Sequence, residues 1–112
     1  MSTPKDMIQS FKSKERAYLS KISVKKTEIM KIQKEPLEYI RLFLDEGEEN
    51  LTFDEVKTIL KQLEKESLHL KASLRWKAKK QMYYTRFFKE ADKLASQYTM
   101  ALEVIESENE EE

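Results

Sequence analysis

The architecture follows from the stretch "FDEVKTILKQLEKESLHLKASLRWKAKKQMYYTRFFKEADKLASQYTMALEVI", residues 53–105, in which apolar residues recur with a heptad period. In a frame that starts at Phe53, thirteen of the sixteen a and d positions are apolar. A period of about 3.5 residues predicts one long helix that supercoils against another helix. The polar exceptions are Ser67, Lys77 and Gln81, which fix register and oligomeric state or, alternatively, form a hydrated middle that opens for a partner.

The N-terminal third predicts another helix, which forms the first arm of the fold. Thr3 suits a helix cap, and Pro4 suits the first helical position, where its missing N–H does no harm. Apolar residues then follow at spacings of three and four, with Glu15 and Lys25 as the exceptions. This pattern predicts an amphipathic helix over residues 4–34.

Within the first arm, Pro36 predicts a break because it removes a backbone donor and restricts the residue before it. A densely apolar segment then predicts a short helix over 37–46, covered on two sides. An acidic turn over 47–51 follows, and the capping box formed by Thr52 and Glu55 starts the long helix.

The predicted fold is all-α: one domain over 1–112, an elongated antiparallel helical hairpin that resembles a coiled coil. Its first arm is kinked at Pro36, its second arm is the long helix 53–105, and residues 106–112 form a disordered acidic tail. One glycine and two prolines in 112 residues, with 38% charged residues, favour helices over strands. We expect the hairpin to self-associate, because two helices alone leave wide apolar faces uncovered.

Charge is strongly segregated, although the net charge is zero. Residues 71–89 contain seven bases and no acid, whereas residues 90–112 contain one base and eight acids. The predicted hairpin would place 71–89 beside the basic residues 9–27, so that an acidic partner, phosphate or another copy of the chain would have to neutralise both.

The candidate site lies in "RWKAKKQMYYTRFFK", residues 75–89, which contains six bases and five aromatic residues. Trp76 and Tyr83 occupy c positions, seven residues apart and away from the seam. They either pack against another segment or subunit, or form a recognition patch. The predicted partner-binding residues are Arg75, Trp76, Lys79, Lys80, Tyr83 and Arg86.

The favoured function is a non-enzymatic protein-interaction module, such as a helical adaptor, assembly factor or regulator. The alternative is nucleic-acid binding by the basic band 71–89, with the acidic tail as an internal competitor. Membrane-surface binding is less favoured because the seam already uses the apolar face. The chain offers no phosphate loop or catalytic constellation, and with one histidine and no cysteine we expect no metal or other cofactor. We expect a cytoplasmic or nuclear location, since residues 1–14 lack the apolar core of a secretory signal.

Overall fold

A computed structural model of the chain describes residues 3–46 and 52–110. Every regular element in these residues is helical, which confirms the predicted all-α class. The predicted acidic turn at 47–51 lies outside the described residues. The elements in chain order are α1 (Pro4–Leu19), α2 (Lys26–Lys34), α3 (Pro36–Glu46), α4 (Phe53–Lys80), a 3-10 turn (Met82–Tyr84) and α5 (Thr85–Glu110).

The predicted helix starts are confirmed by the hydrogen bonds at their caps. The hydroxyl of Thr3 accepts from the backbone N–H of Asp6, and the Asp6 carboxylate accepts from the N–H of Thr3. The hydroxyl of Thr52 accepts from the N–H of Glu55 in the same way. The break before Pro36 is also confirmed, because α2 ends at Lys34 and α3 begins at the proline.

The predicted continuous helix 4–34 is wrong, because α1 ends at Leu19 and α2 begins only at Lys26. Serine side chains between them compete for the groups that would continue the helix. The hydroxyl of Ser20 donates to the carbonyl of Ala17, and that of Ser23 accepts from the backbone N–H of Lys25 at 3.3 Å. The first arm is therefore two short helices that can pack separately.

The predicted continuous helix 53–105 is also wrong, because α4 ends at Lys80 and Gln81 is extended, with φ −138° and ψ 121°. Gln81 and Lys77 are the polar interruptions of the heptad seam, so there is little apolar surface to carry a straight helix through this point. The end of the second arm differs too. Residues 106–110 continue α5 as a helix and are not a disordered tail.

Instead of extending straight, the chain folds back, and α5 packs antiparallel along α4. Lys71 forms an ion pair with Asp92 near the turn, and Lys57 forms one with Glu106 far from it, which fixes the direction of the two helices. The predicted hairpin of two long arms is therefore not the observed arrangement. The heptad residues still form the core: Val56, Leu60, Leu63, Leu70 and Leu74 on α4, and Ala91, Ala95, Tyr98, Leu102 and Ile105 on α5.

The shorter helices cover this pair of helices. α1 packs on α4 and α5, while α3 packs on α5. Lys14 pairs with Glu66 and Lys12 with Glu90, so acids from α4 and α5 partly neutralise the bases of α1. The buried side chains of these helices form one core cluster, while several large apolar side chains, among them Leu68, Trp76 and Met100, stay exposed.

A buried polar pair joins α1 to α5. Glu15 is 1% exposed, and its carboxylate accepts a hydrogen bond from the hydroxyl of Tyr98, which is equally buried. Burial raises the pKa of Glu15 above its ordinary value of 4.5. The hydrogen bond with Tyr98, the positive charge of Lys12 and the hydrogen bond with Gln33 each lower this pKa, but they only partly offset the effect of burial. Burial and the facing carboxylate also raise the pKa of Tyr98.

The raised pKa of Glu15 makes stability depend on pH. The folded chain holds this proton more tightly than the unfolded chain, so the contribution is fully present below pH 4.5 and is lost as pH rises through the folded pKa. Glu15→Gln keeps an acceptor for Tyr98 and cannot ionise. In urea unfolding across this range, we expect wild type to lose stability relative to Glu15→Gln as pH increases. Parallel pH profiles for the two proteins would contradict the assignment.

Removal of the Tyr98 hydroxyl tests the other half of the pair. Tyr98→Phe leaves the buried carboxylate without this donor, so we expect a loss of about 1–3 kcal/mol in the free energy of unfolding. Tyr18→Phe, at a half-buried ring on α1, is the matched control and should change stability by no more than about 0.5 kcal/mol. Equal effects of the two substitutions would mean that the hydrogen bond contributes nothing specific.

Candidate functional site

The structure places the six predicted site residues around the turn between α4 and α5. Arg75, Trp76, Lys79 and Lys80 lie in the last two turns of α4. Tyr83 lies in the 3-10 turn, and Arg86 lies in the first turn of α5. We call these six residues the contact patch. Trp76 and Tyr83 do not form one helical stripe as predicted, because the chain changes direction at Gln81 between them.

Trp76 is the most distinctive side chain of the contact patch. It is 60% exposed, and the ammonium of Lys80 lies over its ring, 3.9 Å from the centroid. Such an arrangement is a cation–π contact. The indole also lines an open groove of about 570 Å³ on α4, together with Leu68, Lys71, Ala72, Arg75 and Lys79.

Sequence reasoning missed the floor of this groove. Leu68 and Ala72 precede Trp76 at successive spacings of four, which places the three side chains on one face of α4. Leu68 is 43% exposed. The repeated spacing of four outside the seam was a signal that could have identified it. Met82, 88% exposed beside Tyr83, was missed as well, and its single position carries no such pattern.

Tyr83 has a partly structural role. It is 64% exposed, yet its ring makes edge contacts with Tyr84 and Phe87, both at 5.5 Å between centroids. Phe87 is buried and carries the guanidinium of Arg86 over its ring at 4.7 Å. Tyr83 and Arg86 therefore cover the edge of the core at the turn, whereas Trp76 and Lys80 stand on the exposed face of α4.

The turn is strongly basic. Of the seven bases in residues 71–89, only Lys71 takes part in the ion pairs found among the described residues. The bases at the end of α4 favour that helix, because cations stabilise a helix C-terminus. In α5 the first turn contains Arg86 and no acid, so charge there opposes the helix dipole. Stability of α5 does not account for the basic turn.

Acidic side chains are concentrated at the other end of the antiparallel pair. Asp54 and Glu55 begin α4, and Glu103 and Glu106 lie near the end of α5. Because α5 has 26 residues and a helix rises about 1.5 Å per residue, its two ends are about 40 Å apart. Glu103 and Glu106 are thus held away from the basic turn of the same molecule.

Known proteins give no further guide. No protein-family model matches the chain, and no curated protein or solved structure matches it. Over the described ranges, none of the helices has the length and apolar character needed to cross a bilayer. The chemistry of the contact patch is the basis for a functional conclusion: an exposed indole on an apolar floor, surrounded by cations.

Trp76 is the only tryptophan, so its fluorescence reports on this site alone. We expect anionic iodide to quench its emission more strongly than cationic caesium, because the surrounding bases attract anions. The difference should shrink at high salt, where these charges are screened. Lys79→Gln with Lys80→Gln should reduce this difference, whereas Lys57→Gln with Lys61→Gln, at least fifteen residues or about 22 Å before Trp76 along α4, should not. Equal quenching by both ions in wild type would contradict a basic environment.

Proposed function

We propose that the chain is a non-enzymatic helical interaction module that docks a partner protein through the contact patch. The observation that carries this proposal is Trp76, which is 60% exposed in a groove whose floor is apolar and whose rim is basic. Trp, Tyr and Arg are the residues that most often supply the binding energy of protein interfaces. The contact patch has all three types.

The apolar side chains of the groove favour a protein partner over one that binds through charge alone. Leu68 and Ala72 give Trp76 an apolar neighbourhood on α4, which an incoming apolar side chain can cover. Arg75 and Lys79 line the same groove and belong to no ion pair found among the described residues, so they would face acidic groups around that side chain. A partner segment with an apolar anchor between acidic residues fits both features.

The charge on α5 supports the same conclusion. Arg86, in the first turn of α5, opposes the dipole of its own helix, which costs about 0.3–1 kcal/mol for an exposed charge near the terminus. A feature that lowers stability at the surface is explained if it contributes to binding. The partner proposed here is therefore acidic at its contact surface.

Nucleic-acid binding is the second candidate. It is favoured by the lysine and arginine side chains outside ion pairs that surround an exposed indole, because an indole can stack on a nucleobase. It differs in its response to salt, because release of counterions makes affinity fall steeply as salt rises. Deletion of residues 106–112 should leave such affinity unchanged, since α5 holds its acidic end away from the basic turn. Increased affinity after this deletion would support the internal-competitor hypothesis.

The protein-docking proposal is tested by capture from source cells after nuclease treatment, followed by affinity measurements with the purified captured protein. Trp76→Ala with Tyr83→Ala should weaken binding by about 2 kcal/mol or more, as for an interface hot spot. Val24→Ala with Met30→Ala removes two other exposed apolar side chains and should leave affinity unchanged.

The single variant Trp76→Ala separates binding from folding, because Tyr83 also contacts the core edge. Its circular dichroism and unfolding midpoint should match wild type, and its affinity should still fall. Equal losses of affinity in the Val24 and Met30 control would reject a specific patch. Material that is captured without nuclease treatment but is absent after it would favour nucleic acid instead.

A further inference from the structure

We infer that the partner of the contact patch is a second copy of this chain, whose groove between α3 and α5 receives Trp76. This inference rests on the proposed function, since it uses the contact patch as a protein-docking surface. It adds the identity of the partner and the surface on that partner.

The receiving groove lies between α3 and α5 and has a volume of about 650 Å³. Its apolar residues include Met100, which is 50% exposed. Asp45 and Glu103 are its acidic residues, and neither belongs to an ion pair found among the described residues. The lining residues are Leu37, Arg41, Leu44, Asp45, Met100, Glu103, Val104 and Ser107.

The two surfaces are complementary in charge, and both expose apolar side chains. The contact patch presents an indole with cations around it, and the groove presents apolar side chains with carboxylates beside them. Thioether groups make favourable contacts with aromatic rings, so Met100 is a suitable neighbour for Trp76. Lys80, already over the indole, would approach Asp45 and Glu103 as the ring enters. Arg41 also lines the groove, so its positive charge offsets one of the two carboxylates and the groove keeps a net negative charge.

A molecule cannot fill its own groove. Met100 is fifteen residues beyond Thr85 along α5, and a helix rises about 1.5 Å per residue, so the groove lies over 20 Å from the turn. Contact patch and groove are different surfaces, which makes the association head-to-tail. Head-to-tail contacts add further copies unless the rotation closes a ring. The zero net charge of the chain permits such growth without accumulating charge.

Two variants separate this arrangement from others. The patch variant carries Trp76→Ala and Lys80→Ala and keeps its groove. The groove variant carries Asp45→Lys and Glu103→Lys and keeps its patch. All four positions are exposed, and circular dichroism should confirm that both variants remain helical.

Sedimentation velocity at low ionic strength gives the readout. Wild type should increase in mass with concentration and lose this behaviour at high salt. Each variant alone should stay monomeric, while an equimolar mixture should double in mass and grow no further, because the intact patch of one variant meets the intact groove of the other.

Three results would overturn the inference. They are a wild type that stays monomeric, a groove variant that associates as wild type does, and a mixture in which no dimer forms. In each case capture of another protein, lost in Trp76→Ala with Tyr83→Ala, would leave the proposed function standing. If no other protein is captured and the mixture of the two variants forms a dimer, the contact patch binds only other copies of this chain.

Discussion

The antiparallel packing of α4 against α5 is the constraint on which the rest of the structure depends. Leu60, Leu63 and Leu74 are completely buried on one helix, as are Ala91 and Ile105 on the other. Burying side chains of this size stabilises the fold by about 1.5–3 kcal/mol each for the larger residues. Once the pair is formed, α1 and α3 have a surface to cover, and the turn at residues 81–84 becomes one end of the molecule.

The sequence predicts the core better than the topology, and the reason is physical. A heptad pattern specifies which face of a helix is buried, but it carries no information on whether the covering helix belongs to the same segment or to another. The buried residues of α4 and α5 were therefore predictable, whereas the reversal between them was not. Lys77 and Gln81, two polar seam positions in succession, were the local signal, and helix propensity around them did not contradict a straight helix.

For Trp76 the sequence left two interpretations open, packing against another segment or subunit and exposure in a recognition patch. Its side chain is 60% exposed, at the end of a helix and not in its middle. Tyr83 fits both interpretations, packing and recognition, since its ring packs on Phe87 and is also exposed to solvent. Glu15 appeared only as an exception to the apolar stripe, and its burial depends on Tyr98, which is 83 residues away in sequence. Pairs at this separation follow from tertiary packing, which a local pattern does not contain.

Charge placement separates what stabilises this fold from what it presents to partners. In α4 the acidic start and basic end both follow the helix dipole, so stability alone explains them. In α5 the order of charges is reversed, and a chain optimised only for stability would exchange them. The reversal is what brings the bases of both helices together at the turn and carries the acids to the other end. An antiparallel pair in which both helices followed their dipoles would mix the two signs at each end, and the bases would not be concentrated around Trp76.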